Sequence, residues 1–343
     1  MNRMLKLILT LLLLPVSGVV SAAWHEQQAQ IMGTEIRVYL WHVDAVVGQR
    51  AVTDVLAEFR RVDNLMSSYI ESSELSLVNR QAATQAVVVS DELEKLITQS
   101  LAMSVRTQGA FDVTYASVGY LYDFRNAVRP EQAAVDQQLE AINFRHIAVD
   151  QDKNTIQFSH PNVRIDLGGI AKGYAVDQAI GTLKKHAVEH AIVTAGGDTR
   201  VLGQHRDRPW VVGIQDPRIS GEVVALIPLV DESISTSGDY ERYFDESGIR
   251  YHHIIDPQTG DSARLVRSVS ILGSESILTD ALSTSVFVLG LEAGIKLIDS
   301  IEGYEAIVVD NHGKLHYSTG LQQRDERPTD KPSQANAAPA KSN

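Results

Sequence analysis

The stretch VRIDLGGIAKGYAVDQAIGTLKKHAVEHAIVTAGG, Val163 to Gly197, decides the fold. A short apolar run, VRID, ends in the pair Gly168-Gly169, and from about Ile170 to Lys185 apolar residues recur at helical spacing. The β-branched run Ala191 to Ala195 then reads as a strand and ends in a second glycine pair, Gly196-Gly197. Upstream, MGTEIRVYL from Met32 alternates Ile36, Val38 and Leu40 with polar residues, a strand pattern, and Val52, Val55, Leu56, Phe59 and Val62 follow at helical spacing. A second helix starts at an N-cap, Ser90, and runs through Leu93, Leu96, Ile97, Leu101 and Val105 to a terminal glycine, Gly109. Between Arg125 and Gln157 a polar helix near Glu131 to Ala141 and a hairpin around Asp150 to Lys153 are expected. Downstream the pattern predicts strands at Trp210 to Gln215, Val223 to Leu229, Ser233 to Ser237 and Val266 to Gly273. Helices at Ser276 to Leu289 and Leu291 to Ile301 follow, then strands at Ala306 to Val309 and Leu315 to Ser318. Strands and helices mix without a strict βαβ repeat, so the expected class is α+β.

Composition narrows the chemistry. The chain has 343 residues, 44% apolar and 22% charged, which is globular. Its balance of −12 offers no general attraction for nucleic acid, so any phosphate must be held locally. There is no cysteine, which excludes disulfides, thiolate catalysis and Cys-ligated metals; a metal here would use oxygen or imidazole ligands, and oxygen favours hard ions such as Mg²⁺. G-x-G-x-x-G, Walker A, H-E-x-x-H and G-x-S-x-G patterns are absent.

Residues 1–23 read as a secretory signal: Arg3 and Lys6, an apolar run Leu7 to Leu14, and small residues at Val20-Ser21-Ala22-Ala23. An uncleaved inner-membrane anchor facing the periplasm is the alternative, since Leu7 to Ala23 approaches the ~17 residues that just span a bilayer. Without cysteine there is no lipoprotein anchor, so a free periplasmic protein is expected. One folded domain over 24–321 and a disordered tail over 322–343 complete the expected organisation.

Three segments could carry chemistry. In DLGGIAKGYAVD, Asp166 to Asp177, the glycines let backbone amides approach an anion at a helix start and Lys172 adds a charge; taken alone, the segment reads more simply as a tight turn with a solvated lysine. In LTDALSTSVFVLG, Leu278 to Gly290, Asp280 and Thr284 are four apart on one helical face, hard ligands suited to Mg²⁺, or else a helix-start acid and a backbone-bonded hydroxyl. In YHHIIDPQTG, Tyr251 to Gly260, a strand ends at a turn, and only one of His252 and His253 can face a site, as a base or as a surface residue. AGGDTR, STSGDYERYF and GAFDVT are further polar clusters.

The ordered series MGT, SSELSLVN (Ser72 to Asn79), GAFDVT, DLGGIAKGYAVD, AGGD, WVVGIQDP, SGDY, HIIDPQTG and TDALST resembles the FAD:protein FMN transferases, the ApbE or flavin-trafficking family, over roughly Gln30 to Gly320. The resemblance implies two T-fold-like lobes enclosing a flavin nucleotide. It also implies a Mg²⁺-dependent enzyme that cleaves FAD, links FMN by a phosphoester to a Thr or Ser of an acceptor flavoprotein, and releases AMP. The acceptor would carry a D-x-x-S/T-G-A-T-like motif, as in membrane electron-transfer subunits. By position, Met32, Tyr69, Ala110, Phe111 and Asp112 would line the FAD pocket, Asp166 and Lys172 would contact the nucleotide, and Ile254 would lie beside it. Mg²⁺ would take the Gly169 carbonyl, Asp280 and Thr284, with Ser283 helping, and His253 would deprotonate the acceptor. Many relatives have Ala where Gly169 stands. A FAD pyrophosphatase and a non-catalytic FAD carrier are the alternatives.

Overall fold

The computed structural model describes residues 21–325. Eight strands form one antiparallel sheet: β1 (Ala23–Ile31), β2 (Thr34–His42), β6 (His190–Ala195), β7 (Asp198–Leu202), β10 (Ser233–Gly238), β13 (Val266–Gly273), β14 (Glu305–Asp310) and β15 (Leu315–Tyr317), in that spatial order. Small sheets are made by β3 (Val87–Val88), β4 (Ile147–Asp150) and β5 (Thr155–Phe158), by β8 (Trp210–Gln215) with β9 (Val223–Leu229), and by β11 (Tyr243–Glu246) with β12 (Ile249–His252). The helices are α1 (Ala45–Met66), α2 (Glu74–Gln81), α3 (Asp91–Arg106), α4 (Ala116–Gly119), α5 (Gln132–Gln138), α6 (Ala171–Lys185), α7 (Ser276–Leu289), α8 (Leu291–Asp299) and α9 (Thr319–Asp325). None of the described helices is long and apolar enough to cross a membrane.

The large sheet is two copies of one plan. Two strands (β1, β2), two helices (α1, α6) and two strands (β6, β7) make one half; β10, β13, α7, α8, β14 and β15 repeat the order in the other. These are the two lobes of the expected α+β fold, joined through one sheet. β7 and β10 meet over three residue pairs, Ser233–Arg200, Ile234–Thr199 and Ser235–Asp198.

Strand alternation feeds two cores. Ile36, Val38, Leu40, Val193 and Ile271 face the helices, where Val55, Phe59, Val176, Ile180, Leu282 and Val286 meet them. Ile192, Val201, Ile234, Leu272 and Ile307 face the other way and are covered by Trp210, Ile214 and Leu229 of the β8–β9 hairpin.

Three expectations need correction, and one strand, β1, lies outside them. VRID joins no sheet: the Asn79 side chain accepts from Ile165 N and donates to Ile165 O, both at 2.8 Å, standing in for a neighbouring strand. The strand expected through HHII ends at His252, beyond which only Ile255 bridges to Ser262. β1 is invisible in the sequence pattern because it is an edge strand whose only fully buried side chain is Ile31. The tail does not begin at Gln322, because α9 runs on to Asp325; Thr319 N and Oγ1 bond the Asp299 carboxylate at 2.8 Å and fix its first turn. Residues 1–20 of the expected signal and 326–343 of the tail lie outside the described residues, whereas Ala23, the last residue of that expected segment, opens β1.

Candidate active site

The two halves meet where α6 packs on α7. Asp177, near the middle of α6, accepts from the first amides of α7, Ser276 N at 3.0 Å and Ile277 N at 2.9 Å, and pairs with Arg200 of β7. A carboxylate there satisfies orphan donors and answers the helix dipole, so α6 fixes where α7 starts. One turn further, Gly173 lets the helices touch: its amide donates to Asp280 Oδ2 at 2.9 Å.

That approach brings charges together. Lys172 Nζ lies 2.9 Å from Asp198 Oδ2 of β7, 3.4 and 3.5 Å from the two oxygens of Asp280, and donates to the Gly168 carbonyl at 3.1 Å. Asp280 is 3% exposed and Asp198 2%. Burial, then the neighbouring Asp198, raise the Asp280 carboxyl above the usual range, with Lys172 opposing. Burial pulls the Lys172 ammonium down, but the two carboxylates outweigh it and leave its pKa raised. The lysine expected against the nucleotide thus rests on carboxylates.

Gly169 and Thr284 adjoin this cluster. A Cβ on Gly169 would meet Phe111 Cε2 and Thr284 Oγ1, each at 3.3 Å, so the glycine turn runs close to both side chains. Ser283 donates to the Asp280 carbonyl at 2.9 Å and lies 2.7 Å from Ser237 Oγ, whereas Thr284 Oγ1 has only a 3.4 Å contact with Ser237. Thr284 is therefore the freer ligand of the two. Among the described residues no three His, Asp or Glu side chains converge as a metal cluster. The oxygens of Asp280, Thr284 and the Gly169 carbonyl are of the hard kind that fits Mg²⁺.

The remaining expected residues divide. Asp166 accepts from Ser68 Oγ at 2.5 Å, Tyr115 OH at 3.0 Å and Gly168 N at 2.8 Å, which sets the glycine turn; Tyr69, next to Ser68, is 87% exposed. Met32 and Gly33, at φ 54° and 68°, form the two-residue turn of the β1–β2 hairpin. Arg242 Nη2 reaches across to the Gly33 carbonyl at 3.1 Å. Ala110 and Phe111 are buried. Asp112 is a brace, its carboxylate accepting from Thr114 N, Thr114 Oγ1 and Phe144 N. Ile254 is buried in the helix-side core.

The histidines have separate roles. The His252 ring contacts the Ala263 carbonyl at 2.6 Å through Nε2 and accepts from Ile254 N through Nδ1, which assigns Nε2–H and makes it structural. His253 is anchored by its backbone N–H to the Arg242 carbonyl, while its Nδ1 is enclosed with no hydrogen-bond partner among the described residues. Burial, then Arg242, His252 and Lys172, push its pKa down to about 3, so the ring is neutral at pH 7.

Asp198, Ser237, Arg242, Tyr115 and Ser68 belong to the site and were not singled out from the sequence. The first three sat within the polar clusters AGGDTR and STSGDYERYF, which were the available signal.

An α+β enzyme with its site at the junction of two sheet halves has many counterparts. Residues 32–308 match the ApbE family. Over 314 residues the chain is 33% identical to a Treponema pallidum protein named FAD:protein FMN transferase, with 86% of each covered. A Vibrio cholerae protein of the same name is 31% identical over 277 residues, 78% of this chain and 82% of the relative. The crystal structure of the ApbE protein from Thermotoga maritima superposes with a TM-score of 0.81 at 31% identity, covering 88% of this chain and 99% of that one. The flavin transferase ApbE from Vibrio cholerae gives 0.78 at 28% identity, with the same coverage. The class is that of the transferases. The chain belongs to the ApbE family.

Proposed function

We propose that the protein is a Mg²⁺-dependent FAD:protein FMN transferase, exported to the periplasm, that acts on a Thr or Ser hydroxyl of an acceptor flavoprotein. The observation that carries this reading is that Lys172 bridges Asp198 and Asp280 at the junction of the halves, with Gly169 packed beside Thr284, one turn along α7 from Asp280. In the reaction the acceptor oxygen attacks the FMN-side phosphorus, the P–O bond to AMP breaks, and AMP leaves with the electron pair. Mg²⁺ held by the oxygen set would neutralise the pyrophosphate oxygens as charge builds on them. Lys172 adds positive charge on the Gly168 side. His253, uncharged at neutral pH, is the group to take the hydroxyl proton; the part of its depression owed to Arg242 and Lys172 is relieved when an anionic substrate screens them. The acceptor segment is expected to resemble D-x-x-S/T-G-A-T, as in a membrane electron-transfer subunit.

Incubation with FAD, Mg²⁺ and an acceptor peptide tests this by intact mass. FMN addition to the peptide with AMP appearing in step supports transfer. FMN release without an adduct would assign a pyrophosphatase, and no turnover a carrier. Chelation with EDTA should stop the reaction and Mg²⁺ restore it. Asp280→Ala should abolish transfer while FAD still binds, and His253→Asn should slow transfer more than binding.

A further inference from the structure

We propose that Lys172 is a place-holding cation: its ammonium group neutralises Asp280 while that carboxylate holds no metal, and it withdraws when the metal arrives. This rests on the reading of Asp280 as a metal ligand. Two buried carboxylates side by side need a counter-charge, and among the described residues Lys172 is the cation paired with both. The pairing is unequal. Asp198 Oδ2 is 2.9 Å from Nζ, whereas the Asp280 oxygens are at 3.4 and 3.5 Å. Asp280 Oδ2 is also held by the Gly173 amide at 2.9 Å, but Oδ1 has Lys172 as its one hydrogen-bond partner among the described residues. Oδ1 is thus the oxygen offered to a metal and the one that Lys172 covers.

A divalent ion on Oδ1 would stand within a few ångström of the ammonium, where like charges repel strongly. Asp280 and Asp198 are enclosed and cannot yield. The Lys172 side chain is 26% exposed and has, in the ion pair with Asp198 and the hydrogen bond to the Gly168 carbonyl, two contacts to retain when it leaves Asp280. The metal therefore replaces one cation by another, and the displaced ammonium stays on the Gly168 side, where it is free to meet phosphate.

Calorimetric titration of the FAD-free protein with Mg²⁺ or Mn²⁺ alone tests this. Lys172→Met keeps the stem and removes the charge, so it should bind metal about tenfold or more tightly than the native chain. Its metal-free Tm should be lower, and its Tm gain on adding Mg²⁺ larger. Lys172→Arg, which keeps the charge, should bind metal no more tightly than native. In the native protein, where folding is not at issue, acylation of Lys172 followed by peptide mass analysis should be faster with Mg²⁺ present. Equal or weaker metal binding by Lys172→Met, or acylation unchanged or slowed by Mg²⁺, would overturn the inference alone. Absence of metal binding in both native and Lys172→Met would overturn it together with the assignment of Asp280.

Discussion

Gly173 and Asp280 are locked together twice over: the glycine amide donates to Oδ2 at 2.9 Å, and a Cβ on the glycine would fall 2.7 Å from Asp280 Cβ and 2.2 Å from the Ser276 carbonyl. The contact that aims the carboxylate thus exists only because position 173 has no side chain. Gly173→Ala must push α6 and α7 apart, and overpacking of this kind costs about 1–3 kcal/mol. Urea unfolding should register that loss, with activity falling further. Gly181→Ala on the same helix, where a Cβ meets nothing within 4 Å, should be neutral or stabilising by about 0.4–1 kcal/mol. Equal effects of the two substitutions would refute the packing argument.

Gly169 should behave differently from Gly173. Its added Cβ would meet Phe111 and Thr284 at 3.3 Å, a contact relieved by a few tenths of an ångström of side-chain movement. Because the proposed ligand is the backbone carbonyl, Gly169→Ala should retain metal binding and lose less than about 1 kcal/mol of stability. A loss of metal affinity comparable to that of Asp280→Ala would argue against the carbonyl as ligand.

Asp177 joins the two halves without touching the proposed metal ligands. Asp177→Ala leaves two amides of α7 and the Arg200 guanidinium without their acceptor, and a loss of about 1–3 kcal/mol is expected in urea. Unchanged stability would show that the α7 start is fixed by something else.

The buried histidines predict a pH dependence of stability. In the folded chain His252 and His253 protonate only at about 4 and about 3, because burial disfavours the imidazolium; in the unfolded chain they protonate near 6.5. Below pH 6.5 the unfolded chain therefore holds more protons. Their stabilising contribution is complete above that pH and is lost as pH falls toward 4 and 3, at up to about 1.4 kcal/mol per pH unit for each ring. Between pH 7 and 5, His253→Asn should lose less stability than the native chain. Identical slopes would show that His253 is not protected from protons in the fold.

Much of this was legible from periodicity. Ile36, Val38 and Leu40 point to the helix-side core as their alternation required, and Ser90 caps α3. Asp280 and Thr284, four apart, do share a helical face at the site. What stayed hidden depends on partners remote in the chain. Nothing local in VRID reveals that Asn79 replaces its sheet neighbour, and nothing near Lys172 reveals that Asp198 and Asp280 engage it from two other elements. The roles of His252 and His253 also required the Ala263 carbonyl, which captures one ring and leaves the other uncommitted. α2 was missed although Ser73 caps it by accepting from Ser76 N at 3.0 Å, because the helix is only eight residues long.

The repeated plan of the sheet has a practical corollary. A backbone cut within residues 203–209 would separate Gly169, Lys172 and Asp198 from Ser237, His253, Asp280 and Thr284, leaving each fragment with four strands of the large sheet. Within that sheet, reassembly depends on the short seam of three residue pairs between β7 and β10. Neither piece alone has the oxygen set or the lysine facing both carboxylates. Metal uptake on the proposed oxygen set by a mixture of the two fragments, and by neither alone, would therefore report their reunion.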